Sequence, residues 1–190
     1  MTTRILLVRH GETDWNVAGR IQGRTDIPLN DTGRAQARGA AAAIASAPDA
    51  SEIARVVSSP FARAADTAAP IADALGLPVD LDDAFAEQAF GAAEGITWVE
   101  LHRRWPDGYP GVETRPEVVA RVTEALERVA VPDATTLVVT HGGVINALNV
   151  VLSARPEDYP GHAANVSVHE FALDADGLRR ADPRDAEQVA

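Results

Sequence analysis

The sequence predicts an α/β protein, a three-layer α/β/α sandwich whose central sheet is mostly parallel and carries an antiparallel edge strand. Three observations carry this. Ile5-Leu6-Leu7-Val8 and Leu137-Val138-Val139 are apolar runs too short for helices, which is how strands buried on both faces read. Each breaks abruptly into polar sequence, Arg9-His10-Gly11 in one and Thr140-His141-Gly142-Gly143 in the other. Helical segments lie between them, and residues 166–173 alternate before a hairpin signal at Asp176-Gly177, which supplies the antiparallel strand.

In chain order, residues 13–31 are turn-rich and predict a loop over the end of the first strand. A helix over about 32–47 follows from the alanine run, with Asn30 or Thr32 as its cap and Pro48-Asp49 as its stop. Val56-Val57 centre a short strand. Ser59-Pro60 has the form of a helix start, a serine cap with proline at the first position, and that helix ends at Gly76. Residues 78–81 predict another strand, 82–95 an irregular stretch, and 96–117 a short helix with a lid loop. Thr114-Arg115-Pro116-Glu117 is a capping-box pattern that opens a helix to about Val129. The second His-Gly strand leads into a helix from Gly143 to about Leu152, and the alternating residues 166–173 form an outer strand. Residues 183–190 read as a frayed tail, so residues 1–182 are expected to be one domain.

Composition excludes several functions. A chain of 190 residues, 46% hydrophobic, is long enough for a sizeable core. Its formal charge of -11 argues against nucleic acid or an anionic membrane as partner, since both call for clustered cations. Without cysteine there is no disulfide, no thiolate metal site and no cysteine nucleophile. The first strand starts almost at once, with no signal segment and no membrane-length apolar run, which makes the cytoplasm the default location.

Two distant apolar runs that both end in His-Gly are best explained as neighbouring parallel strands bringing two imidazoles to one pocket. In open α/β sheets ligands collect beyond the carboxyl ends of the strands. His102, His162 and His169 lack paired carboxylates at useful spacing, so no metal site is expected.

The run Leu7-Val8-Arg9-His10-Gly11-Glu12-Thr13 resembles the signature of the histidine phosphatase superfamily, which includes the cofactor-dependent phosphoglycerate mutases. The resemblance continues, in the family's order, through Gln22-Gly23-Arg24-Thr25-Asp26-Ile27-Pro28-Leu29, Ser58-Ser59-Pro60-Phe61-Ala62-Arg63 with Thr67, Glu87 with Gly91 and Glu94-Gly95, and Thr140-His141-Gly142-Gly143. It implies a metal-independent phosphomonoester hydrolase that acts on a small phosphorylated metabolite through a phosphohistidine, with no cofactor. By this resemblance His10 is the nucleophile and Glu87 the general acid, in preference to Glu12, which is assigned to ordering the arginines or the loop. Arg9 and Arg63 supply planar forks for phosphate oxygens, and His141 adds a donor. Asn16, Gln22, Gly23 and Gly142 fall at substrate-binding positions, with the amides at the start of the Gly143 helix forming an anion site.

Two departures bear on substrate fit. Alanine fills the segment Gly91-Ala92-Ala93 where relatives commonly carry a large residue, and Asn146 stands where arginine is common. A phosphoglycerate mutase is the alternative reading, disfavoured because the 96–117 segment is brief; a catalytically inactive phosphate-binding protein is another. Arg103 and Arg104 are candidates for a second anionic group, although a solvated helix face accounts for them better. Trp98 and Trp105 are expected to pack the lid. A strand edge near Val166 could pair two copies as a homodimer.

Overall fold

The computed structural model describes residues 2–106, 108–152 and 162–181; the predicted tail at 183–190 lies outside them. Strands β1 (Thr3–Arg9), β2 (Ile53–Ser58), β3 (Val79–Leu81), β4 (Thr135–Thr140), β5 (Val168–Asp174) and β6 (Gly177–Arg180) form one sheet in the order β3-β2-β4-β1-β5-β6. β1, β2, β3 and β4 run parallel, while β5 pairs antiparallel with both β1 and β6. The helices of chain order are α1 (Asp14–Val17), α2 (Asp31–Ala45), α3 (Ala62–Leu75), α4 (Trp98–Arg104), α5 (Arg115–Val129) and α6 (Gly142–Leu152).

Side chains alternate across the strands, so β1, β2 and β4 each contribute to two cores. On one face Leu6, Val8, Val56, Leu137 and Val139 pack against α2 and α3 through Ala41, Ala64, Ala68 and Ile71. On the other, Ile5, Leu7, Val57 and Val138 meet α5 and α6 through Val122, Leu126, Ile145 and Leu148. The sandwich is therefore three-layered, and β1 and β4 are the apolar strands buried from both sides that the sequence predicts. Each fully buried Leu or Ile contributes roughly 1.5–3 kcal/mol.

Local signals locate several ends. Asn30 caps α2 by accepting from the Gly33 amide at 2.8 Å, Thr114 and Glu117 form the capping box of α5, and Gly76 closes α3 at φ 68°. Four expectations need correction. The loop after β1 contains α1, one turn held by a capping box between Thr13 and Asn16. α3 begins at Ala62 and Ser59 does not cap it; the Ala62 amide donates instead to Asp26, at 3.0 Å to each carboxylate oxygen. α6 starts one residue early, at Gly142. The strand expected to be outermost, β5, is flanked by β1 and β6, so it offers no free edge for a second copy; among the described strands β3 and β6 are the edges.

The loop after β1 and the start of α2 touch backbone to backbone. A Cβ on Gly33 would lie 2.1 Å from the Glu12 carbonyl oxygen, and one on Gly11 would lie 2.6 Å from the Gly33 oxygen. Backbone atoms cannot swing aside. Gly33→Ala should therefore lower stability by about 1–3 kcal/mol, whereas Gly39→Ala, on the same helix with open space around it, should be neutral or stabilising. Urea unfolding of the two variants checks this; equal effects would contradict the close packing.

Candidate active site

Register decides what meets at the sheet's carboxyl edge. Arg9 pairs with Thr140, so the next residue of each strand, His10 and His141, emerges side by side. Their rings lie 5.2 Å apart, centroid to centroid, inclined at 61°. The inferred neighbourhood of two imidazoles is what the structure contains.

His10 is 2% exposed, and its Nδ1 lies 2.7 Å from the Gly11 carbonyl oxygen. A carbonyl only accepts, so Nδ1 carries the proton and Nε2 keeps its lone pair. Burial, and then the charges of Arg63 and Arg9, push the His10 pKa well below its ordinary value, outweighing the Gly11 carbonyl. The ring is neutral at neutral pH. His141 is likewise held well below its ordinary range, first by burial and then by Arg63, His10 and Arg9. Arg63 Nε donates to His141 Nδ1 at 3.2 Å, so His141 Nε2 bears the proton and donates to Ser59 Oγ at 2.8 Å. The serine read as a helix cap thus holds the second histidine.

Arg63 is fully buried, and burial lowers its pKa although Glu87, Asp26 and Glu94 oppose that. Its NH1 donates to Thr25 O at 2.9 Å and its NH2 to Gly23 O at 2.8 Å. These contacts tie the 23–25 loop to α3, a strut role the sequence did not reveal. Arg9 donates through NH1 to Ala163 O at 2.6 Å. Thr67 accepts from the Gly11 amide at 3.0 Å, fixing the turn after the nucleophile candidate.

A cavity of about 580 Å³ opens over this edge. Arg9, His10, Asn16, Gln22, Gly23, Glu87 and Gly142 line it, bringing seven of the nine sequence candidates to one wall. Arg63 and His141 do not line it; they lie fully buried, with His141 packed against His10. Gln22 is buried, and its Oε1 has no hydrogen-bond partner among the described residues. Glu87 Oε1 accepts from the Gln88 amide at 2.8 Å and Oε2 from the Gly143 amide at 3.1 Å. That corrects the expected anion site at the start of α6, whose Gly143 amide serves Glu87. It also explains the second glycine, because a Cβ on Gly143 would lie 2.5 Å from Glu87 Oε1.

Glu12 accepts from Asn30 Nδ2 at 2.9 Å and so orders the loop, not the arginines. Arg103 and Arg104 are absent from the cavity wall, and Arg104 lies over the Trp105 ring at 5.1 Å. The cations that do reach the outer wall are Arg20 and Arg115, which the sequence reading passed over. Trp98 also lines the cavity, edge-on to Phe90 at 5.6 Å. Asn165 was missed too. Its Nδ2 donates to His10 O at 2.9 Å, and the neighbouring Val166 amide donates to Arg9 O at 3.1 Å. Val166 adopts φ 54°, costly for a branched residue, within the segment that wraps the end of β1. Among the described residues no three metal-ligating side chains cluster, and no helix is long and apolar enough to cross a membrane.

Comparison with known proteins agrees with this geometry. The model of the histidine phosphatase superfamily (branch 1) matches residues 5–182. The chain is 42% identical over 160 residues to the phosphatase PhoE of Bacillus subtilis, covering 80% of this chain and 78% of that one. It is 34% identical over 188 residues to a metal-independent phosphoserine phosphatase of Arabidopsis thaliana, covering 90% and 76%. Among solved structures, a mycobacterial glucosyl-3-phosphoglycerate phosphatase in complex with VO3 superposes with a TM-score of 0.80 at 28% identity, over 94% of this chain and 96% of that one. A match over nearly the whole sheet, with the paired histidines at its carboxyl edge, places this chain in branch 1 of the histidine phosphatase superfamily.

Proposed function

We propose that this phosphatase hydrolyses small phosphomonoesters without a metal, through a phosphohistidine on Nε2 of His10. One observation carries the reading: a neutral imidazole whose Nδ1 is occupied by the Gly11 carbonyl, leaving Nε2 free to attack at a cavity wall shared with Arg9 and Glu87. The relatives named for metal-independent phosphoserine hydrolysis and glucosyl-3-phosphoglycerate hydrolysis support the substrate class.

In the first step the Nε2 lone pair forms the N–P bond while the ester P–O bond breaks, its electron pair going to the leaving oxygen. Glu87 gives that oxygen its proton, and the alcohol departs. In the second step water attacks phosphorus, Glu87 takes a proton from it, and the N–P electrons return to Nε2, releasing phosphate. Arg9, on the cavity wall, balances the charge on the non-bridging oxygens, with the Arg63 charge buried behind it, and a fixed cation near 4 Å is worth on the order of 4 kcal/mol at an effective dielectric of about 20, before desolvation. His141, packed edge-on against His10 and donating to Ser59, holds the nucleophile's ring in place. Asn16, Gln22 and Gly23 hold the phosphoryl group, and Trp98, Leu101, Tyr109 and Val112, which also line the cavity, cover the alcohol.

Three outcomes follow. His10→Ala should lower kcat/KM by more than about 10⁴ while leaving the fold intact; comparable turnover would remove the mechanism. With an alkyl phosphate, Glu87→Gln, which has no carboxyl proton to give, should lose roughly 10² to 10⁴ in kcat/KM, and normal turnover in that variant would reject the assignment. Stability should fall in acid. Because the folded-state pKa of His10 and of His141 is depressed, the unfolded chain binds more protons once pH drops below the ordinary value of 6.5. At pH 5.5 this costs about 1 kcal/mol for each histidine relative to pH 7.5. Urea midpoints at the two pH values measure it, and a loss undiminished in His141→Gln would contradict it.

A further inference from the structure

Glu87 sits in an irregular stretch between the 3-10 turns Asp83–Phe85 and Gly91–Ala93, where no strand or helix fixes it. A proton donor must nonetheless be held to within a fraction of an ångström of the leaving oxygen. Both flanks of Glu87 are clipped to one ion pair. Arg121, on α5, donates through NH1 to Ala84 O at 2.6 Å, three residues before the acid. Glu113 Oε2 accepts from the Ala89 amide at 3.1 Å, two residues after it. The Glu113 backbone completes the grip, its carbonyl accepting from Gln88 Nε2 at 2.6 Å and its amide donating to Ala89 O at 2.8 Å.

The pair itself is bidentate, with Arg121 Nε and NH2 donating to Glu113 Oε1 and Oε2 at 2.5 and 3.0 Å, and its side chains are only 21% and 15% exposed. Burial pushes the Glu113 carboxyl up, but the hydrogen bonds from Arg121 and Ala89 and the charges of Arg121 and Arg24 outweigh it and hold the group below the usual carboxylate range. The carboxylate is thus charged at neutral pH. Helix α5 packs on α6, whose Gly143 amide grips the Glu87 carboxylate itself, so backbone and side chain of the acid are referred to one frame.

We propose that Glu113 and Arg121 are positioning residues for proton transfer by Glu87. The proposal rests on the hydrolase reading above. A pair that only stabilised the fold would, when removed, weaken all substrates alike. A pair that aims the acid matters where the leaving oxygen needs a proton, and little where it leaves unaided.

The test compares kcat/KM, which reports steps through phosphorylation of His10, for glycerol phosphate and for 4-nitrophenyl phosphate. The double variant Glu113→Gln/Arg121→Met avoids stranding one buried charge. Its kcat/KM should fall about 10- to 100-fold on glycerol phosphate and less than about threefold on 4-nitrophenyl phosphate. Arg121→Lys, which keeps the charge but loses the fork, should show the same bias at smaller size and serves if the double variant does not fold. Equal losses on both substrates, or no loss on either, would overturn the proposal. Rapid-quench detection of phosphohistidine separates the two levels. Equal losses with the intermediate still formed refute only the positioning role, whereas no intermediate in the wild type refutes the parent reading.

Discussion

Burying two imidazoles and two guanidinium groups at the carboxyl edge of one parallel strand pair is the constraint on which the rest of the site depends. Water is excluded there, so each ring is kept neutral and each cation must find fixed oxygens. Arg63 finds them on Gly23 and Thr25, and Arg9 finds one on Ala163. The chain segments that supply those carbonyls are thereby drawn over the nucleophile candidate. One electrostatic requirement assembles the cavity wall from loops more than a hundred residues apart.

The acid side is built differently. Glu87 lies on irregular backbone held by α5 through Arg121 and Glu113 and by α6 through the Gly143 amide. The histidines are positioned by the sheet and the carboxylate by the helices on one of its faces. The three-layer architecture thus brings the two halves of the proposed phosphoryl transfer together from separate frames.

What could be read in the sequence was what is local. The two apolar runs with His-Gly ends, the Thr114 capping box and the Gly76 helix end are each set by a few adjacent residues, and each matches the structure. Partners distant in the chain could not be read. Ser59 looks like a cap because its bond to His141 spans 82 positions, and Asn165 was missed because its bond to His10 spans 155. Arg63 suggested a free fork, and only the fold shows it bound to loop carbonyls. Glu113 and Arg121 carry no local signal, and only their shared burial and pairing in the fold single them out. Arg20 and Arg115 were passed over for a related reason: which charged side chains line the cavity depends on packing, whereas Arg103 and Arg104 stay off it, in line with the solvated helix face preferred for them.

The central claim is that His10 is presented as a neutral imidazole with its proton on Nδ1. Side-chain nitrogen NMR of ¹⁵N-histidine protein, assigned with a His10→Gln variant and followed from pH 5 to 8, tests it most directly. The account predicts that His10 stays neutral across that range with Nε2 unprotonated, locked by the Gly11 carbonyl. Protonation of His10 near pH 6.5, or a proton on Nε2 in the neutral ring, would contradict it.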